Sequence, residues 1–350
     1  MKKRNDLIPH MLEDILLRAA ELSAPTRNEL IYLLSFPETS LEAGFIRAAA
    51  DAASRARFNN EAILLGQIGI ETSPCPANCR FCVFGRDHST FPESKLDISD
   101  IIERANAFTC DGDLYGLFLM TMHLFDFDRL LNVVSKVRDV IPSHTRIVVN
   151  VGDFDAIQAK ELKAAGVSGA YHILRLKEGI DTDLKPDERK ATIRSIREAG
   201  MDLYYCCEPV GPEHTPEELV DQIMVGIENC CFQHAAMRRV ALPGLPLAER
   251  GQINELRLGQ IVAVVTLASL GCSETTNIAV HEPNLIGLTA GANAVYAETG
   301  ANPRDTEADT TGHRGFDMAS ARKMLYESGF QRLRRGDGSS IPLTLDPNHQ

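Results

Sequence analysis

Residues 113–152 read DLYGLFLMTMHLFDFDRLLNVVSKVRDVIPSHTRIVVNVG, and this stretch decides the fold class. YGLFLM and RIVVNV are runs of strand length, apolar on both faces of the pleat, as a sheet covered on both sides requires. Segment 126–139 between them reads as a helix. Strand, helix, strand at this spacing is a βα unit of a parallel sheet. The same rhythm continues in both directions. Strands are expected at 62–72, 113–122, 146–152, 169–176, 202–211, 235–243 and 274–282, with helices at 97–109, 126–139, 155–165, 187–199, 216–229 and 254–270. Seven strands starting at residue 62 predict an α/β fold, a TIM-type (β/α) barrel, complete or nearly so.

Before the first strand the chain is helical. Leu7, Met11, Ile15 and Ala19 form a helical stripe, Thr26 caps a second segment, and Thr39 or Ser40 caps an Ala-rich helix to Arg57. Three regions follow: a helical extension over 1–60, a barrel core over 61–285 and a closing segment over 286–350. Hydrophobic residues make up 44% and charged residues 24% of the 350, which suits a folded chain with a sizeable core and excludes disordered or collagen-like classes. A net charge of −12 argues against nucleic acid and anionic membranes as partners. The first 22 residues carry Glu13, Asp14, Arg18 and Glu21 and do not read as a signal peptide, so a cytoplasmic location is expected.

Nine cysteines, an odd number, do not form a secreted disulfide framework. Three stand together in Ser73-Pro-Cys75-Pro-Ala-Asn-Cys79-Arg-Phe-Cys82, a C-x3-C-x2-C array directly after the first strand. Active sites of such barrels lie at the C-terminal ends of the strands, where this loop falls. Cysteine sulfur suits iron–sulfur clusters and zinc. A structural zinc site wants a fourth ligand, for which His88 and Cys110 are the nearest candidates. Three thiolates without an obvious fourth favour a cluster with one open iron.

The array, with Phe81 before its last cysteine, resembles the signature of the radical S-adenosylmethionine (SAM) superfamily. TRNELIYLLSF (26–36) with the following Ala-rich helix resembles the leader of its biotin synthase-like branch. GLTAGANAVYAETG (287–300) resembles the biotin and thiamin synthesis-associated region. The resemblance implies that Cys75, Cys79 and Cys82 hold a 4Fe-4S cluster whose fourth iron chelates SAM. It further implies reductive cleavage to methionine and a 5′-deoxyadenosyl radical, which takes hydrogen from a small-molecule substrate. An electron donor such as a flavodoxin or ferredoxin is the implied partner, and a homodimer is left open. By the same resemblance Val210 and Gly211 lie along the adenine, and His172, Arg175 and Glu178 contact the ribose and carboxylate. Thr121, Met122 and His123 stand at the methionine-amine position, without the usual acidic residue.

Biotin synthase itself also holds a second Fe-S cluster, on cysteines of the second, third and fifth strands and an arginine of the seventh. Only Cys206 or Cys207 has a counterpart position here. An atypical second cluster, built from Cys110, Cys206 or Cys207, Cys230 or Cys231, and Cys272, is one reading of the remaining thiols, and sulfur insertion would go with it. Small buried hydrophobes is the other. Asn150, Asp153, Arg238, Arg239, Asn277, His281 and Glu282 are the candidate substrate contacts. Arg and Glu together suit a zwitterionic or carboxylate-bearing metabolite, as in the branch with methylornithine synthase and the hydrogenase-maturation enzyme. No residue is singled out as catalytic. Two rival readings remain: a zinc-binding barrel without redox chemistry, and a radical SAM enzyme that modifies RNA or protein.

Overall fold

The computed structural model describes residues 8–304 and 316–345. Eight parallel strands form the barrel: β1 (Glu61–Gly69), β2 (Gly116–Met120), β3 (Arg146–Asn150), β4 (Gly169–Tyr171), β5 (Asp202–Tyr204, resuming as Cys207–Val210), β6 (Gln233–Arg238), β7 (Asn277–His281) and β8 (Ala294–Gly300). The eighth strand was not among the seven expected from alternation; it lies in the segment read for its family resemblance. It closes the barrel by pairing with β1 from Ile63 opposite Ala294 to Gly69 opposite Gly300. Closure removes the sheet edges, so the wall carries no unpaired strand.

Three helices precede the barrel: α1 (His10–Ala20), α2 (Arg27–Ser35) and α3 (Leu41–Arg57). Ser40, rather than Thr39, caps α3 by accepting from the Ala43 N–H at 3.1 Å. The barrel helices are α4 (Ile98–Thr109), α5 (Phe127–Val140), α6 (Ala156–Ala164), α7 (Pro186–Glu198), α8 (Pro216–Glu228) and α9 (Glu255–Ser269). Their starts follow local chemistry. At α8, Thr215 and Glu218 cap each other reciprocally, and Pro216 takes the first turn, where its missing N–H costs nothing.

Helix α9 explains the N-terminal extension. Every residue from Leu258 to Ser269 is buried, so a single core-facing stripe is not enough to cover it. Its remaining faces are covered by α2, α3 and the short α10 (Leu285–Leu288). Arg57, at the end of α3, fastens this layer by donating to the carbonyls of Ser269, Cys272 and Thr275. After β8, α11 (Met318–Glu327) and the hairpin β9 (Arg332–Arg334) and β10 (Ser340–Pro342) pack beside the start of β1. No helix among the described residues is long and apolar enough to cross a membrane.

Candidate active site

The C-terminal ends of the strands surround a cavity enclosing about 1050 Å³, part of it open to solvent. All eight strands or the loops that follow them contribute. Cys75, Cys79 and Cys82 line it together from the loop after β1, framed by the two-residue strands Glu71–Thr72 and Ser94–Lys95. Asn78 holds that loop folded in a left-handed conformation (φ +47°). Its amide donates to Asp87 at 2.7 Å and to Asp183 at 3.1 Å. Asn78 therefore clasps the loop.

Several observations test whether these residues suit an iron–sulfur cluster. The donors are three thiols facing one cavity, and the Phe84 N–H donates to the Cys82 sulfur at 3.5 Å, a contact that favours a charged sulfur. Burial pushes the Cys79 thiol up to about 12, with nearby Arg175 opposing the shift, and pushes Cys82 up as well. Thiols this reluctant to ionise become thiolates when a metal takes the proton's place. Among the described residues, no three His, Cys, Asp or Glu side chains converge on a point suited to a single metal ion. A cubane does not ask for that, because its cysteines ligate different irons. The residues fit the cluster.

Opposite the cysteines, Arg175 lines the cavity from the loop after β4. Its Nε donates to Glu208 Oε1 at 3.1 Å, and the Tyr171 hydroxyl donates to Glu208 Oε2 at 2.6 Å. Thr121 and Asn150 also line the cavity; the Asn150 amide donates to Gln67 Oε1 at 3.1 Å. Thr121 donates to the Met122 carbonyl at 2.9 Å. His123 reaches the cavity because its carbonyl crosses tightly over Gly152, where any Cβ would lie 1.8 Å from the carbonyl oxygen. His281 lines the inner wall.

Other expected residues stand outside the cavity wall. His172 is buried behind Tyr171, with Nε2 3.0 Å from Asp153, and burial beside Arg189 pushes its imidazole down to about 3. Arg189, which does line the cavity, fixes Asp153 at 2.9 Å, and these contacts hold the Asp153 carboxyl well below the usual range. Glu178 is buried, accepting from the Arg175 N–H at 2.9 Å and the Thr182 hydroxyl at 2.6 Å. Val210 is buried at the end of β5. Next to it, Gly211 leaves room for Arg239, whose guanidinium grips Glu213 at 2.5 and 2.9 Å. Arg238 lies 3.8 Å from Glu282, and Glu282 borders a second, adjoining cavity. Asn277 sits deep in the barrel, accepting from Gln233 at 2.5 Å.

The sequence reading missed Gln67, Tyr171, Glu208, Met237, Tyr296, Glu298 and Arg304, all of which line the cavity. A signal was available for some of them. Tyr296 and Glu298 are two apart on β8 and share its inner face, and Tyr171 faces opposite to His172. Cys206 and Cys207 divide in the same way. Cys206 lies near Tyr171 and Glu208, which line the cavity, whereas the Cys207 sulfur lies 3.9 Å from the Leu219 carbonyl of α8. Cys110 is exposed, and Cys230, Cys231 and Cys272 neighbour one another where the chain enters β6 and β7, away from the cysteine array.

No family model matches the chain. Among curated proteins it is 26% identical over 354 residues to the mitochondrial biotin synthase of Emericella nidulans, covering 93% of this chain and 83% of that one. It is 28% identical over 260 residues to the biotin synthase of Francisella tularensis, covering 68% and 81%. Among solved structures, methylornithine synthase superposes with a TM-score of 0.76 at 18% identity, covering 90% of this chain and 96% of that one, which shows a shared fold. With the closed barrel, a three-thiol cavity that fits a 4Fe-4S cluster, and sequence similarity to biotin synthases along most of its length, the chain is similar to the radical SAM enzymes of the biotin synthase-like branch.

Proposed function

We propose that this enzyme holds its cluster on Cys75, Cys79 and Cys82 and acts on a small, carboxylate-bearing, amino-acid-like metabolite inside the barrel. The cluster, when bound, supplies one-electron cleavage of SAM to a 5′-deoxyadenosyl radical. The protein's part is to hold the reactants and exclude water. Arg175 is the candidate for the SAM carboxylate, because a guanidinium pairs with a carboxylate through two parallel bonds. Glu208 holds that guanidinium from one side and is itself held by Tyr171. The observation that carries the reading is that three thiols, Arg175 and the polar inner wall share one cavity at the C-terminal mouth of a closed barrel. Its lining mixes guanidinium, carboxylate and amide groups, which favours a charged small substrate over an extended polymer.

A second reading, sulfur insertion from an auxiliary cluster, is favoured by the kinship to biotin synthases. The placement of the thiols weighs against it, since the Cys207 sulfur lies against α8, Cys110 is exposed, and Cys230, Cys231 and Cys272 neighbour one another where the chain enters β6 and β7. One experiment addresses both readings. Anaerobic reconstitution is expected to give about four irons per chain, and Cys79→Ala to abolish the cluster absorbance and 5′-deoxyadenosine formation. Dithionite-driven SAM cleavage surviving in Cys79→Ala would overturn the ligand assignment. About eight irons, halved by Cys206→Ser, would revive sulfur insertion.

A further inference from the structure

Besides its three cysteines, the loop after β1 carries one imidazole, His88, whose nearness in sequence made it a candidate fourth ligand for zinc. The structure gives its ring another task. His88 is half-buried, and its Nε2 donates to the Cys82 carbonyl at 2.7 Å in the tautomer that fits. The same carbonyl accepts from the Gly85 N–H at 3.2 Å, which closes a tight turn over residues 82–85. Within that turn the Phe84 N–H donates to the Cys82 sulfur at 3.5 Å. The turn is also tied to a second ligand. The Cys75 N–H donates to the Phe84 carbonyl at 2.7 Å, and the Arg86 N–H to the Cys75 carbonyl at 3.0 Å. The Gly85 carbonyl accepts from the N–H groups of His88 and Ser89, at 3.1 and 2.8 Å, and this brings the imidazole back over Gly85. A Cβ on residue 85 would lie 2.1 Å from His88 Cε1 and 2.5 Å from Nε2. The backbone of Gly85 is not left-handed, so the ring's need for space is what asks for glycine here.

We infer that His88 is a positioning residue for the cluster: by holding the Cys82 carbonyl it fixes the turn that aims the Phe84 N–H at the Cys82 sulfur, and through that bond it raises the cluster's reduction potential. The inference rests on the reading that Cys75, Cys79 and Cys82 hold a 4Fe-4S cluster. Hydrogen bonds to the sulfurs are among the factors that set such potentials. Reduction adds negative charge to the cluster and its thiolates, so an N–H aimed at a sulfur stabilises the reduced state more than the oxidised one. Without the imidazole the turn is closed by the Gly85 N–H alone. Its peptide planes are then freer to rotate, and the Phe84 N–H turns off the sulfur with them. His88 acts through the backbone and not as a ligand, because its Nε2 is committed to the carbonyl.

The test measures the midpoint potential of the reconstituted enzyme, without SAM, by redox titration followed by EPR. His88→Ala is expected to shift the reduction equilibrium about three- to tenfold toward the oxidised cluster, about 30 to 60 mV more negative for one electron. His88→Gln, which keeps an N–H donor near the place of Nε2, retains the parent potential. Gly85→Ala removes no hydrogen-bonding group and displaces only the ring, so it is expected to match His88→Ala. Added to His88→Ala it meets no ring and produces no further shift. Iron content and thermal unfolding are followed in parallel, because a merely structural role would move these and leave the potential of the retained cluster where it was. Gly85→Ala carries the test if His88→Ala does not hold its iron. An unchanged potential in His88→Ala or Gly85→Ala, a shift in His88→Gln as large as in His88→Ala, or a further shift in the double variant overturns the inference. A parent enzyme that reconstitutes no 4Fe-4S cluster, or a Cys79→Ala variant that still holds one, defeats the ligand assignment instead, so the two readings fail separately.

Discussion

Arg175 shows how one side chain serves packing and chemistry together. It is 20% exposed, Glu208 is 3% exposed, and the two meet at 3.1 Å. Removing one partner of such a pair leaves a buried charge uncompensated, which costs about 3–5 kcal/mol, more than a surface pair contributes. Arg175→Ala is therefore expected to lower stability by an amount of that order and to weaken SAM binding as well. Adding Glu208→Gln should recover most of the stability and none of the SAM affinity. Urea denaturation and ligand titration on both variants separate the two roles; an unchanged SAM affinity in Arg175→Ala would make the residue purely structural. The residue types at this site were legible beforehand, since an arginine after the fourth strand was expected at the cavity. Glu208 as its partner was not, because β4 and β5 come together only across the sheet.

At the level of elements, strand alternation and helical periodicity located the secondary structure well, since each depends on residues within a few positions. Helix α9 is the instructive case. Its periodicity predicts a helix over 254–270 but not what covers it, and the structure supplies the cover in α2, α3 and α10. Arg57 is the clasp, with three backbone carbonyls as acceptors. Those carbonyls follow the end of α9, where a cationic donor is most favourable. Arg57→Ala is expected to cost about 1.5–3 kcal/mol in urea unfolding, the scale of bonds to a charged group, without altering the iron content of reconstituted enzyme. Loss of iron in this variant would show that the extension also supports the cysteine loop.

Across the whole molecule, three buried imidazoles give the fold a definite pH dependence. Burial pushes His172 and His281 down to about 3 and His234 to about 4. In the unfolded chain each titrates near 6.5. Between these limits the unfolded state binds more protons than the folded one, so stability rises with pH and is lost as pH falls below about 6.5. Each imidazole contributes a slope approaching about 1.4 kcal/mol per pH unit in the middle of that window. His234 Nε2 donates to the Ile223 carbonyl at 3.0 Å and its Nδ1 accepts from the Ala235 N–H at 2.8 Å, and the ring is not part of the cavity lining, so His234→Gln tests this without touching the cavity. Urea midpoints of the variant and the parent between pH 7 and pH 5 should converge as pH falls. Parallel curves would show that His234 is already protonated in the fold.

The barrel class, the N-terminal helices, the cysteine array and its position after the first strand are all legible in the order of residues along the chain. These depend on local spacing: two residues for a pleat, three to four for a helical turn, and the reach of one loop for three thiols. Which of two neighbouring residues looks inward was decided only by the closed barrel. Tyr171 rather than His172 lines the cavity, and Met237 rather than Arg238 or Arg239. Cys206, rather than Cys207, faces the interior. A shift of one residue in strand register exchanges every inside and outside position, and the register here follows from β8 meeting β1. The same closure brings Arg304 from the loop after β8 beside His281 at the end of β7 and Met237 on β6. No local pattern records that meeting, because the distance between those side chains is set by the circumference of the barrel and not by the chain between them.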